Sequence, residues 1–117
     1  MAQVTLYGLK NCDTCRRALA DLERAGHDVV VTDIHTAPDL ADKVPQWLAA
    51  VGSEKLVNRR STTWHGLSEA QQRDADGERA ADLLVANPTL VKRPVIEAAG
   101  AVHAGWSKDA RTAFGAG

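Results

Sequence analysis

A chain of 117 residues, 44% hydrophobic and 25% charged, has the size and balance of one compact domain able to bury a core without disulfide or metal staples. Its formal net charge of -1, with no block of like charge, offers no basic face for phosphate backbones, so no direct nucleic-acid contact is expected. No stretch approaches the roughly 18 apolar residues of a membrane span, and residues 1–7 lack the cationic start and long apolar run of a secretory signal, so no membrane association is expected either.

In chain order, Val4-Thr5-Leu6-Tyr7 alternates at period two and predicts a first strand, followed by a turn over residues 8–11. From Asp13 onward Ala18, Leu19, Leu22 and Ala25 share one helical face, and Gly26 stops that helix. Val29-Val30-Val31 is β-branched and apolar, which predicts a buried second strand. A strand–helix–strand unit of this length closes right-handed with its strands parallel. The middle of the chain reads as helical. Asp42 is placed to cap a helix through Val51 that ends at Gly52, with Pro45 in its first turn. A second helix is expected from Gly77 to Ala86, stopped by Asn87-Pro88, and the polar residues 59–66 between the two read as a loop. Val95-Ile96 and Ala101-Val102-His103 predict a hairpin over Ala99-Gly100, and Ser107 caps a final helix ending near Phe114.

The order is therefore β-α-β, a helical insert, then β-β-α. This predicts an α/β, thioredoxin-like fold with an inserted helical subdomain between the second and third strands. One domain is expected over residues 1–117, with the insert at about 40–90.

Chemistry concentrates in Asn11-Cys12-Asp13-Thr14-Cys15-Arg16-Arg17, which follows a strand and opens a helix. The expected compartment is the cytoplasm, where structural disulfides are rare, so this close pair reads as redox chemistry rather than a staple. At a helix start the unpaired N–H groups face Cys12 and favour its thiolate. Cys15, one turn on, is placed to attack a mixed disulfide formed at Cys12. The same amides can cradle an oxyanion. Two plainer readings compete: the cysteines as small packed hydrophobes, or a zinc site. The latter lacks two further ligands, since His27, His35, His65 and His103 show no paired spacing, and no metal is expected. Lys92-Arg93-Pro94-Val95 precedes the third strand, where a proline can adopt the cis form. Asn58-Arg59-Arg60-Ser61 adds a basic loop, and arginine suits carboxylates and oxyanions through its planar fork. Trp47, Trp64 and Trp106 read equally as core or as groove lining.

These residues together resemble the ArsC/Spx family, and within it the YffB-like branch, nearly from end to end. The resemblance rests on Thr5-Leu6-Tyr7-Gly8 with Asn11-Cys12-Asp13-Thr14, on Thr62-Thr63-Trp64, on Lys92-Arg93-Pro94-Val95, and on Gly105-Trp106-Ser107. Their combination in this order is specific, whereas each piece alone is weak. The resemblance implies a thioredoxin fold with a helical insert. In arsenate reductases of this family the cysteine at the Cys12 position attacks arsenate, glutathione resolves the adduct, and glutaredoxin reduces the mixed disulfide. Three arginines hold the oxyanion there. The second matches Arg93, before the expected cis Pro94. The first falls at Arg60 when anchored on Thr62-Thr63-Trp64 and at Arg59 when counted from Asn58, with Arg60 preferred. The third belongs near Gly105 and Trp106, where this sequence has none; Arg111 is the nearest. Cys15 departs from the arsenate reductase pattern and matches the C-x-x-C switch of Spx-like regulators, which contact RNA polymerase.

The leading expectation is a thiol-disulfide oxidoreductase, an ArsC-like reductase using glutathione. Cys12 is its nucleophile and Cys15 a candidate resolving thiol; Arg60, Arg93, Arg16 and Thr14 are candidate anion- or substrate-binding residues. No bound cofactor is expected, with glutathione as co-substrate, a glutaredoxin- or thioredoxin-type reductant as alternative partner, and a monomeric state. The competing functions are a glutathione/glutaredoxin-dependent arsenate reductase and a redox-sensing regulator that binds RNA polymerase.

Overall fold

The computed structural model describes residues 3–9, 11–98 and 101–115. Strand β1 (Gln3–Gly8), helix α1 (Asp13–Arg24) and strand β2 (Asp28–Asp33) come first. They lead into α2 (Leu40–Val51), α3 (Ser53–Leu56), α4 (Thr62–His65), α5 (Glu69–Asp74) and α6 (Ala80–Ala86), then a 3-10 turn at Pro88–Leu90. The chain closes with β3 (Val95–Ala98), β4 (Ala101–Ala104) and α7 (Lys108–Ala113). These elements fall into two compact units, residues 1–36 with 93–117, and residues 37–92.

The first unit is built on a four-stranded sheet of order β2-β1-β3-β4. β1 and β2 run parallel, from Gln3 opposite Asp28 to Gly8 opposite Asp33, while β3 is antiparallel to both β1 and β4. This mixed α/β arrangement, with helices between the second and third strands, is the thioredoxin-like order the sequence predicts. Val4 and Leu6 of β1, Ala18 and Leu22 of α1, Ile96 of β3, and Trp106, Ala110 and Phe114 form one buried cluster. Each full-sized aliphatic side chain buried there contributes about 1.5–3 kcal/mol. Two polar ties fix its rim. Trp106 Nε1–H donates to Asp21 Oδ2 at 2.9 Å, and His27 Nε2 donates to the Phe114 carbonyl at 2.7 Å. Gly26, at φ 93, turns the chain after α1 as expected. Ser107 caps α7 through its side chain, which accepts from the Ala110 N–H.

One expectation here needs correction. Val29-Val30-Val31 does form β2, but at the edge of the sheet, and Val30 and Val31 are 43% and 52% exposed. β-branched composition reports fitness for a pleated strand, not the strand's place in the sheet. The hairpin of β3 and β4 pairs as predicted, while its linking Ala99-Gly100, like Lys10 in the turn after β1, lies outside the described residues.

In the second unit α2 packs against α6, and Val44, Trp47, Leu56, Leu84, Leu90 and Val91 are buried. A bridge between Val57 and Val91 is framed by Asn58 N–H to Leu90 O at 2.6 Å and Lys92 N–H to Leu56 O at 2.7 Å. The helix expected to be capped by Asp42 begins three residues earlier, at Leu40 after the cap residue Asp39, whose carbonyl accepts from Lys43 N–H. Pro45 is therefore its sixth residue, on an exposed position, rather than part of the first turn. The helix expected from Gly77 starts at Ala80, because a turn closed by Ala80 N–H to Gly77 O intervenes. The loop expected at 59–66 contains the single turn α4, started by Ser61 Oγ accepting from Trp64 N–H at 3.1 Å. Helix α5 begins at a capping box between Ser68 and Gln71.

Candidate active site

Cys12 is the N-cap of α1, at φ -96 and ψ 116, and its Sγ accepts from the Cys15 N–H at 3.4 Å. An N-cap side chain occupies the place where the first-turn amides converge, so an anion there is stabilised by hydrogen bonding and by the aligned peptide dipoles of a 12-residue helix. The β1 strand delivers this corner: Ile34 N–H donates to Gly8 O and Cys12 N–H donates to Leu9 O, so both sides of the turn are tied. Cys12 is half-exposed and Cys15 is buried, at 4% exposure.

Cys15 sits in a different environment. Burial first, and the hydrogen bond with Cys12 second, push its thiol up from 9.0 to about 11. A hydrogen bond from the Leu9 backbone and the charge of Arg93 pull in the other direction without winning. Gly8 makes the room for this sulfur: a Cβ built there would meet Cys15 Sγ at 2.7 Å. At neutral pH a thiol with a pKa of about 11 is ionised to only about one part in ten thousand. The two thiols therefore differ in access, Cys12 being half-exposed and Cys15 buried.

Arg93 leads into Pro94 through a cis peptide bond, and its positive charge is the weakest of the influences on the Cys15 thiol. The Pro94 carbonyl accepts from Gly105 N–H at 2.8 Å, tying this loop to the residues after β4. Gly105 adopts φ 81, a conformation in which any side chain is strained, so an arginine at that position is disfavoured by the backbone itself. Arg111 lies in α7. Thr14 is exposed in the first turn of α1, and Arg16, also exposed, pairs with Asp13 one turn back. Cys12, Thr14, Cys15, Arg16, Arg93 and Pro94 thus belong to one unit.

Arg60 belongs to the other unit. Its neighbour Arg59 is committed within that unit: its Nη2 meets Asp76 Oδ1 at 2.6 Å, and its guanidinium lies over the half-buried Trp64 ring at 4.8 Å. These residues line an open cleft of about 350 Å3 together with Glu69, Gln72 and Arg73. The Arg60 N–H donates to Asn58 Oδ1 at 3.1 Å and the residue is exposed. Among the described residues its guanidinium makes no ion pair, whereas that of Arg59 does. Trp47 and Trp106 are core residues, whereas Trp64 lines a cleft.

Two features were not anticipated from sequence. One is the seat that Gly8 provides for Cys15. The other is an apolar cavity of about 240 Å3 lined by Leu6, Leu9, Cys15, Arg16, Leu19 and Val31. The signal for the first was present, a glycine ending the strand four residues before Cys12. The second depends on tertiary placement. No helix among the described residues is long and apolar enough to cross a membrane.

With this geometry in hand, comparison with known proteins is informative. The ArsC family model matches residues 7–114. The global transcriptional regulator Spx of Streptococcus pyogenes is 30% identical over 118 residues, covering 95% of this chain and 84% of that protein. The solved structure of a YffB protein superposes with a TM-score of 0.84 at 33% identity, covering 95% of this chain and 97% of the other. An arsenate reductase-related protein from Brucella melitensis superposes with a TM-score of 0.74 at 36% identity, covering 96% and 93%.

Proposed function

The chain belongs to the ArsC family, and we propose that it works as a thiol-dependent reductase with Cys12 as nucleophile and glutathione as the co-substrate that supplies electrons. The observation that carries this reading is the asymmetry of the two thiols: Cys12 caps α1 and is accessible, whereas Cys15 is buried with its thiol pushed up to about 11.

For a mixed disulfide between glutathione and a substrate thiol, the Cys12 thiolate attacks the glutathione sulfur. The S–S bond breaks, the substrate leaves as a thiolate, and a Cys12–glutathione disulfide forms. A second glutathione, entering as its thiolate, attacks that disulfide. Oxidised glutathione departs, Cys12 returns as thiolate, and the proton released by the incoming glutathione ends on the substrate thiol. Two glutathione units are thereby joined and one substrate thiol is released. The raised pKa of Cys15 favours this external resolution over attack by Cys15. Arg93, whose positive charge acts on Cys15, is assigned to a glutathione carboxylate, with Arg16 and Thr14 as further contacts. A glutaredoxin- or thioredoxin-type protein could replace the second glutathione through the same exchange. A reducing cytoplasm would supply either.

A second reading is a redox-sensing regulator of Spx type. It is favoured by the C-x-x-C spacing of Cys12 and Cys15 and by the 30% identity to an Spx regulator. Reduction of arsenate proper fits less well, because residues 104–107 carry no arginine and Gly105 disfavours one. Parallel steady-state assays with glutathione and either a reporter disulfide or arsenate separate the three. The reductase turns over the disulfide many times. A regulator is oxidised once per chain and binds the RNA polymerase α subunit, and that outcome would overturn the reductase reading.

A further inference from the structure

The β2 edge of the sheet is open, and it carries one exposed valine on each of its faces. β2 pairs with β1 alone. Val31 lies opposite Leu6, a member of the cluster beneath α1, and so shares the α1 face; Val30, opposite Thr5, lies on the other face. At 43% and 52% exposure these two valines are the large hydrophobic residues left most open to solvent among the described residues. An unprotected edge of this kind presents a row of unpaired N–H and C=O groups, a template for another strand.

Two further observations define what fits. Val31 is also a wall of the 240 Å3 apolar cavity formed with Leu6, Leu9, Cys15, Arg16 and Leu19, so a strand added beside β2 brings its α1-face side chains to the mouth of a recess. Main-chain pairing would then give affinity and the recess would select one side chain. Second, β2 begins at Asp28 and ends at Asp33, both exposed. A second copy of β2 pairing antiparallel about Val30 and Val31 would place Asp28 against Asp33 at each end, like charge on like. That arrangement disfavours self-pairing and favours a partner with an apolar centre and basic ends.

We propose that the β2 edge is a strand-addition site for an extended segment of a partner protein, apolar at its centre and flanked by lysine or arginine, with one apolar side chain seated against Val31 and Leu19. The recess shares Cys15 and Arg16 with the proposed redox site, but the inference rests on the open edge and its flanking aspartates and not on turnover, so a peptide titration and a disulfide assay test the two readings separately.

The test uses the full chain and an N-acetylated, C-amidated peptide of sequence Lys-Lys-Val-Ile-Val-Lys-Lys, with a control in which every lysine is replaced by glutamate. Amide chemical shifts of the isotopically labelled protein are followed during titration. The site predicts saturable shifts concentrated at residues 28–33, and binding of the glutamate-flanked peptide weaker by about tenfold or more at low salt. Asp28→Asn should weaken the lysine peptide severalfold and flatten its salt dependence. Val31→Lys should abolish binding with the melting temperature and the remaining spectrum preserved, and Val30→Lys provides a second, independent variant on the opposite face. The proposal is overturned by shifts that lie elsewhere, by equal binding of the two peptides, or by no saturable shift at millimolar peptide. It is equally overturned if β2 signals change with protein concentration alone, the mark of a second copy occupying the edge.

Discussion

Gly8 and Cys15 are fitted to each other: a Cβ on Gly8 would stand 2.7 Å from Cys15 Sγ and 3.2 Å from its Cβ. The strand that delivers the redox turn therefore has no side chain at its last residue because the buried sulfur occupies that space. Gly8→Ala should destabilise the protein by about 1–3 kcal/mol, as overpacking of a full core does. In a Cys15→Ala background the same substitution should cost clearly less, since the two changes share one volume. Chemical denaturation of the four variants measures this; equal costs in both backgrounds would show that the sulfur is not the obstacle.

Burial of Cys15 also predicts a pH dependence. Its folded-state pKa of about 11 lies above the ordinary value of 9.0. Between those values the folded chain keeps a proton that the unfolded chain has released. The associated stability is fully present below pH 9 and is lost as pH rises towards 11. Wild-type protein should lose about 2–3 kcal/mol more than Cys15→Ala over that interval. Parallel stability curves for the two proteins would contradict the environment assigned to this thiol.

Arg59 and Arg60 are adjacent and should behave differently. Arg59→Ala removes the pair with Asp76 and the stacking on Trp64, both partly exposed, and should cost about 1 kcal/mol. Arg60→Ala should change stability by less than about 0.5 kcal/mol and raise the KM for the anionic co-substrate. A KM effect from Arg59→Ala alone would reverse the choice between them.

Much of the redox corner was legible in the sequence, for identifiable reasons. A period-two strand followed by a turn opening on glycine, a cysteine at a helix start and a proline before the third strand are local signals, and local signals survive in a single sequence. The order of elements that gives the thioredoxin-like sheet was legible for the same reason. Other features depend on tertiary placement. Nothing in Val29-Val30-Val31 tells an edge strand from a central one. The commitment of Arg59 is set by Asp76, 17 residues away, and the Asp21–Trp106 bond joins residues 85 apart. In the insert, Ser61 and Ser68 do announce helix starts, but the helices they open span only 4 and 6 residues, too short for periodicity to reveal.

Arsenate is expected to be a poor substrate. Loss of one preorganised charged donor typically costs roughly 100- to 1000-fold in turnover, and the backbone at Gly105 excludes an easy replacement. Reduction of arsenate with glutathione and glutaredoxin should be absent or very slow beside disulfide reduction. Turnover at roughly 1 per second or above would show that the missing arginine matters less than its charge suggests.

The division of labour between the two thiols is the centre of the account, and glutathione-dependent turnover of a mixed disulfide by Cys12→Ser and Cys15→Ser tests it most directly. Cys12→Ser should be inactive, because it removes the only accessible nucleophile of the pair, while Cys15→Ser should stay within about tenfold of wild type because glutathione resolves the intermediate. Activity retained by Cys12→Ser, or abolished by Cys15→Ser in a protein that remains folded, would contradict it.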